Sequence, residues 1–228
     1  MRLVKRRYCI GASRGEIVCD SVAGIEAALA SIRYHRRCLE DYALRNPVFV
    51  YALSPVQVEE DAPLVVKRMA ECSSAAGVGP MASVAGVLAD LAVEDALRAG
   101  ASAIAVENGG EVALAGNAEI TVGVKAGERE LFALKVKPED MPVGIATSSG
   151  RYGHALSFGK ADSVTVVAET AGLADAAATA ICNATKGRDA IERGLAKAKE
   201  MRGVRGVIIV LSGSVCIWGS IPEIVGVR

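Results

Sequence analysis

The sequence predicts an α/β protein of the α+β type, in which mixed, mostly antiparallel sheets pack against helices. Strand-like and helical segments follow one another without the strict strand–helix–strand order of a parallel sheet. Asn108-Gly109 lies between two apolar runs, which is a strong hairpin signal. Hydrophobic residues make up 51% of the chain but aromatic residues only 4%, so we expect a core of Ala, Val, Ile and Leu. The 228 residues fit one domain or two closely packed lobes.

The individual elements follow from apolar periodicity and from capping residues. Asp20 and Ser21 offer cap side chains to a long first helix, and Asn46-Pro47 ends it. Helices are predicted over residues 22–44, 62–76, 80–99, 173–184 and 188–201. Strands are predicted within 2–19 and over 102–106, 112–114, 119–124, 131–136, 163–168, 207–211 and 215–218. Residues 137–162 are rich in Pro, Gly, Ser and Lys, and are predicted to form a long functional loop.

Charge and composition exclude several classes of protein. Lys plus Arg equal Asp plus Glu at 26 each, which argues against a nucleic-acid-binding protein. No window approaches the ~20 apolar residues of a membrane span, and the N-terminal residues do not form a signal peptide. The six cysteines are scattered without a C-x-x-C pair, so we expect free thiols. These features favour a cytoplasmic protein, and its Ala- and Val-rich composition is compatible with a homodimer.

Gly77-x-Gly79-x-x-Ala82 formally matches the dinucleotide-binding fingerprint. That fingerprint requires a strand before it and a helix after it, whereas a helix is predicted before Gly77. We therefore reject a Rossmann site. A glycine-rich helix start with Pro80 at its first position remains, and its free N–H groups are suited either to simple helix capping or to holding an anion.

The chain contains two histidines, which differ in their sequence context. His35 lies in the first predicted helix among Tyr34, Arg36 and Arg37, and is predicted to be a surface residue. His154 lies in the Gly- and Ser-rich predicted loop, where a pKa near neutrality suits a general base. A solvated loop histidine is the alternative.

Asp175 and Thr179 are four residues apart in the Ala-rich helix that follows strand 163–168. This spacing places a carboxylate and a hydroxyl on the same face of a helix. Both are hard oxygen ligands, which Mg²⁺ prefers. The small alanine neighbours would let a ligand approach closely. A solvated Asp and a structural Thr are the alternative interpretation.

Five short motifs occur together in one order, and this order resembles the ApbE superfamily of flavin transferase-like proteins. They are Glu107-Asn-Gly-Gly-Glu111, Ala146-Thr-Ser-Ser-Gly150, Tyr152-Gly-His154, Val164-Thr-Val-Val-Ala168 and Ala174-Asp-Ala-Ala-Ala-Thr179. A closer resemblance is to a separate ApbE-related cytoplasmic family of uncharacterised function, which shares V-G-P-M-A and T-S-S-G-x-x-G-H.

The resemblance implies an ApbE-like fold, FAD and Mg²⁺ as cofactors, and a small-molecule ligand such as a flavin or another anionic compound. Asp175 and Thr179 would hold the metal, and His154 would be the catalytic base. The ligand would be bound by residues of three motifs: Gly79, Pro80, Met81, Ala82, Ser83, Asn108, Gly109, Thr147, Ser148 and Ser149.

Two departures from the ApbE motifs leave the function open. Gly79 stands where the family has an acid, and Ala85 stands where it has a lysine. The resemblance is therefore compatible with a Mg²⁺-dependent enzyme that cleaves the FAD pyrophosphate or transfers FMN. The alternative is a protein that binds a flavin or a small anion without transferring it, in a cofactor or redox pathway.

Overall fold

The computed structural model describes residues 2–126, 130–150 and 159–226. Within these ranges the chain forms eleven strands, six α-helices and two short 3₁₀ turns. The strands are β1 (Val4–Ile10), β2 (Ser13–Cys19), β3 (Ala103–Asn108), β4 (Glu111–Gly116), β5 (Ile120–Ala126), β6 (Glu130–Val136), β7 (Val143–Ser148), β8 (Ser163–Ala168), β9 (Val204–Leu211), β10 (Ser214–Gly219) and β11 (Glu223–Gly226). The helices are α1 (Val22–Arg45), α2 (Pro47–Tyr51), α3 (Leu64–Ala76), α4 (Val84–Arg98), α5 (Ala171–Ala184) and α6 (Ala190–Glu200).

The strands form two antiparallel sheets. Eight of them pair in the order β1-β2-β3-β4-β7-β8-β9-β10, and the other three pair in the order β11-β6-β5. Buried side chains of α1, α4 and α5 cover one face of the larger sheet. A separate buried cluster, the inter-sheet core, joins its opposite face to the three-stranded sheet. The predicted fold class, with mostly antiparallel sheets and packed helices, is confirmed.

Local sequence signals correctly predict α1 and the β3–β4 hairpin. The Ser21 hydroxyl accepts a hydrogen bond from the Gly24 N–H at 3.2 Å, as expected of a cap, and Asn46 ends the helix. Asn108 and Gly109 lie at the predicted turn between β3 and β4. All six cysteines are free thiols, as predicted.

The prediction of a surface position for His35 is wrong. α1 packs along α4, and the His35 side chain on its inner face is only 7% exposed. Burial lowers the pKa of His35, although the charge of Asp95 opposes this effect. Arg37 and Tyr34, its exposed neighbours in the sequence, suggested a surface residue, but residues next to each other in a helix point in directions about 100° apart.

Residues 137–162 are not one long loop, because they contain β7. This strand lies in the middle of the larger sheet, between β4 and β8. Its residues are mostly small, and Gly144 brings the strand against the start of α5. A Cβ atom at Gly144 would lie 2.1 Å from the backbone N of Ala171. The strand is hidden from sequence analysis because its burial depends on packing against a distant helix.

The predicted third helix begins later than expected. Pro80–Ser83 forms a 3₁₀ turn with Gly79 at its N-cap, and the α-helix proper starts at Val84. Pro80 does occupy the first position of the turn. Gly77 ends α3 with a φ of +74°, a left-handed conformation that favours glycine.

We expect Gly144→Ala to reduce the free energy of unfolding by about 1–3 kcal/mol, because a methyl group would overlap the start of α5. The matched control is Gly123→Ala in β5, where a Cβ has no atom within 4 Å and the change should stay within ~0.5 kcal/mol. Urea denaturation of both variants measures the difference. Equal stabilities would contradict the close packing of β7 against α5.

Candidate functional site

The first candidate segment is the turn Gly79–Ser83 between α3 and α4. Gly79 lies so close to α2 that a Cβ would be 1.8 Å from the Ala52 carbonyl oxygen. The buried Ser83 hydroxyl donates to the Pro80 carbonyl oxygen at 2.9 Å, so this side chain stabilises the turn itself. Met81 is 37% exposed. The segment therefore offers backbone groups and Met81 to a ligand.

Asp175 reaches from α5 to the first turn of α4. Its Oδ2 accepts a hydrogen bond from the Gly86 N–H at 3.1 Å. Nearby, Asn108 Nδ2 donates to the Ala85 carbonyl oxygen at 2.9 Å. Burial raises the pKa of Asp175 well above its usual range, although its backbone hydrogen bonds oppose this effect. The predicted residues Asp175 and Asn108 thus meet at the same helix start.

Asp90 makes the reciprocal contact, from α4 to the start of α5. Its two carboxylate oxygens accept hydrogen bonds from the N–H groups of Ala171 and Gly172, both at 2.8 Å. The Thr170 hydroxyl accepts from the next N–H, that of Leu173, at 3.2 Å. Burial raises the pKa of Asp90 to about 6. Each of the two helices therefore supplies an acid to the N-terminus of the other.

Glu111 adds a third carboxylate on the same side of the sheet. Glu111 lies on the same face of β4 as Ala113 and Ala115, which pack against the helices. Burial, together with the charge of Glu107, raises the pKa of Glu111 to about 7. The charge of Glu111 in turn contributes to the raised pKa of Asp175. Neither Glu111 nor Asp90 is among the residues that the sequence predicts for the site.

The predicted ligand-binding residues at the end of β7 lie on opposite faces of the sheet. Thr147 Oγ1 lies 2.9 Å from Thr165 Oγ1 and faces the inter-sheet core. Ser148 points the other way, toward the helices, as Ala146 does. Its hydroxyl is buried and has no hydrogen-bond partner among the residues that the structure describes. Ser149 follows directly, and His154 lies outside the described residues.

Thr179 lies one turn after Asp175 on α5 and is 7% exposed. Because α5 packs on β7 and β8, the helix carries both predicted metal ligands beside the end of β7. The helix layer therefore brings together Asp175, Thr179, Asn108, Ser148 and the Gly79–Ser83 turn, whereas Thr147 lies on the opposite face of the sheet.

A family model described as "AbpE bacteria" matches residues 13–209. The chain belongs to this ApbE-like family. It is also 37% identical over 224 residues to a UPF0280 protein of Methanosarcina acetivorans, covering 97% of this chain and 88% of the relative. A UPF0280 protein of Methanocaldococcus jannaschii is 40% identical over 229 residues, covering 97% and 93% of the two chains.

Solved ApbE structures share the fold of this ApbE-like chain. The ApbE protein of Thermotoga maritima has a TM-score of 0.66 at 19% identity, covering 96% of this chain and 97% of its own. The flavinyl transferase ApbE of Pseudomonas stutzeri, in its apo form, has a TM-score of 0.62 at 13% identity, covering 96% and 95%. The predicted ApbE-like fold is therefore confirmed.

The donor atoms of this ApbE-like site limit the metals that it can hold. Among the described residues, no group of three or more His, Cys, Asp or Glu side chains is arranged to bind a metal ion. Mg²⁺ binds proteins through one or two carboxylates and completes its shell with water and substrate phosphates. Asp175 with the Thr179 hydroxyl fits that requirement, whereas a site built wholly from protein ligands does not.

No single helix in the described ranges is long and apolar enough to cross a membrane. One bent pair, Leu64–Ala76 with Pro80–Arg98, passes a test of length and composition together, with an angle of 98° between its halves.

The raised pKa values of Asp90, about 6, and Glu111, about 7, predict how the stability of the protein changes with pH. Because both pKa values are raised, the folded state binds these protons more tightly than the unfolded state does. The resulting stabilisation is complete below about pH 4, the ordinary range of carboxyl groups, and is lost as the pH rises through 6 and 7. We expect the free energy of unfolding in metal-free buffer to fall by about 4 kcal/mol between pH 5 and pH 8.

Glu111→Gln should flatten this pH dependence, because an amide does not titrate. Glu26→Gln is the control, since Glu26 lies in an exposed ion pair with Arg6. Chemical denaturation at pH 5, 6.5 and 8 measures the slope for each variant. A Glu111→Gln slope as steep as that of the wild type would show that Glu111 is ionised freely in the fold.

Proposed function

We propose that this ApbE-family protein binds Mg²⁺ through Asp175 and Thr179 and uses it to handle a flavin or another nucleotide diphosphate. The reaction would be cleavage of the FAD pyrophosphate or transfer of FMN. The observation that carries the proposal is the set of three carboxylates beside two helix starts, those of Asp90, Glu111 and Asp175. None of the ion pairs between described residues involves any of the three. A bound cation would supply the missing positive charge.

The residues around Asp175 are suited to a phosphate-bearing ligand. Mg²⁺ bound there would neutralise charge that develops on the phosphates. The turn Gly79–Ala82 presents backbone groups before α4, and Asn108 contacts the first turn of that helix. Gly109, whose N–H donates to the Arg14 carbonyl oxygen at 2.9 Å, is proposed as a ligand contact by resemblance to the family. The Ser148 hydroxyl, which has no hydrogen-bond partner within the described ranges, would donate a hydrogen bond to a ligand that lies along α5. Ser149 and His154 are proposed as ligand contact and general base, by resemblance to the family.

Support for flavin as the ligand comes from solved proteins with this fold. The structures from Pseudomonas stutzeri and Vibrio cholerae bear the names flavinyl transferase and flavin transferase. The balance of positive and negative residues favours a small-molecule ligand over a nucleic acid. We further infer that residues 1–228 act as one unit, because the site combines Asn108, Ser148 and Asp175 from distant parts of the chain. The cytoplasmic location is inferred from resemblance to the family.

A second function, binding without transfer, is favoured by two residues of the α4 start. Gly79 and Ala85 replace the acid and the lysine of the family motif. Gly79 is packed against the Ala52 carbonyl oxygen, so no side chain can be accommodated there without displacing α2. A protein of this kind would hold a flavin or a small anion unchanged.

We expect purified protein to release AMP or FMN from FAD only when Mg²⁺ is present, and Asp175→Asn to reduce the rate at least ~100-fold, as loss of a metal ligand does. Chromatographic separation of FAD, FMN and AMP measures the reaction. Asp95→Asn, on the far side of α4 in an ion pair with Arg98, is the control and should keep full activity.

The same samples separate the two functions. A bound yellow chromophore that stays intact with Mg²⁺ would support the non-transferring protein and exclude the transferase. Absence of both flavin binding and FAD turnover in the wild type would exclude flavin as the ligand. The metal site is then tested alone, by the shift of the melting temperature on addition of Mg²⁺ to the wild type and to Asp175→Asn.

A further inference from the structure

The inter-sheet core is open to solvent at one side of the molecule, where the last strand of each sheet lies. β10 is an edge strand of the eight-stranded sheet and β11 an edge strand of the three-stranded sheet. Only three residues, 220–222, connect them, so the two edges lie on the same side. The starts of α4 and α5 lie on the opposite face of the larger sheet.

Three aliphatic side chains point into that opening. Val215 and Ile217 are paired directly with Val210 and Ile208, which belong to the inter-sheet core. Directly opposite residues of antiparallel strands have their side chains on the same face. Val215 and Ile217 therefore face the core as well, yet they are 59% and 50% exposed, whereas their partners are 4% and 2% exposed.

Ile224 completes the opening from the other sheet. It is paired with Leu134, which is fully buried in the inter-sheet core, and it is nevertheless 45% exposed. Core-facing aliphatic side chains left about half exposed on adjacent edges are typical of an interaction surface rather than of scattered surface residues. We name Val215, Ile217 and Ile224 the open-edge patch.

The two outer strands of the eight-stranded sheet differ in how they are protected from pairing. β1 contains Lys5, Arg6 and Arg7, and such charges prevent association of edge strands. β10 has the sequence Ser-Val-Cys-Ile-Trp-Gly, without a charge or a proline. Among the described residues only β9 pairs with β10, so its other edge offers free backbone N–H and C=O groups.

We propose that the protein forms a two-fold symmetric homodimer in which β10 pairs antiparallel with β10 of a second copy and the two open-edge patches lie side by side and cover part of each other. A two-fold axis places the same strand of both copies side by side in opposite directions, which is the arrangement that an antiparallel ladder requires. The proposal does not depend on the proposed function.

The chemistry of the edge favours a second copy over an unlike partner. Because β10 carries no charged residue, two copies of it can pair without placing like charges opposite each other across the two-fold axis. Beside it, Glu223 lies in an exposed ion pair with Lys137 at 4.0 Å. Pairing of β10 with β1 of another copy would build open filaments, and the three cations of β1 oppose it, because they would be placed against an apolar strand.

Sedimentation equilibrium at micromolar concentration tests the dimer directly. We expect wild-type protein to have twice the chain mass of 23.5 kDa. Ile217→Lys should raise the dissociation constant at least ~100-fold, because the two-fold axis buries the new charge twice. The control is Val4→Lys, which adds the same charge to an exposed aliphatic residue of β1 and should leave the dimer intact.

Two results would overturn the proposal. The first is a wild type that is still monomeric at ~100 µM, because its dissociation constant would then be larger than that of a specific interface of this kind. The second is an Ile217→Lys variant that remains dimeric. Far-ultraviolet circular dichroism confirms that each variant is folded. A variant that unfolds is replaced by Val215→Lys, at the other exposed position of the same strand face.

Cross-linking then locates the interface at β10. Paired Cα atoms of antiparallel strands are about 4.5–5.5 Å apart, within the range of a disulfide. In a background in which the exposed Cys9 is changed to Ser, we expect mild oxidation to link two copies through Cys216 or through Val215→Cys or Ile217→Cys. Val4→Cys serves as the control and should give no cross-link. A dimer that is cross-linked at none of the three β10 positions would show that another surface forms the interface.

Discussion

The arrangement of the helix layer depends on two carboxylates that are exchanged between neighbouring helix starts. Asp90 of α4 accepts hydrogen bonds from the first two N–H groups of α5, and Asp175 of α5 accepts one from the Gly86 N–H of α4. The helices can approach this closely because a Cβ at Gly86 would already lie 2.2 Å from the Ala171 carbonyl oxygen. Position and orientation of α5, and therefore of Thr179, follow from these contacts.

The same arrangement has an electrostatic cost. Asp90, Glu111 and Asp175 are removed from water without an ion pair in the described ranges, and burial raises the pKa of each. The helix N-termini offset part of this cost, since their N–H groups favour negative charge. Groups held in an unfavourable state are common where a ligand is later bound. A divalent cation beside Asp175 would relieve the repulsion that the fold maintains.

The larger sheet separates two roles of the molecule. Its helix-covered face carries Asp175, Thr179, Asn108 and Ser148, whereas its opposite face packs on a sheet of only three strands. Because three strands cannot cover eight, the inter-sheet core remains open beside β10. The exposed Val215 and Ile217 are a consequence of this mismatch, and they lie away from the helix starts. The proposed ligand site and the proposed dimer interface therefore lie on different surfaces of one sheet.

The sequence by itself determined the features that depend on neighbouring residues. The cap at Ser21, the turn at Asn108-Gly109 and the helical spacing of Asp175 and Thr179 all arise within a few residues, and motif order identified the family. Only the tertiary structure decided the burial of His35, the presence of β7 and the roles of Asp90 and Glu111. Asp90 and Ala171 are 81 positions apart in the sequence. Such contacts depend on how helices and sheets pack, which the local pattern of residues does not encode.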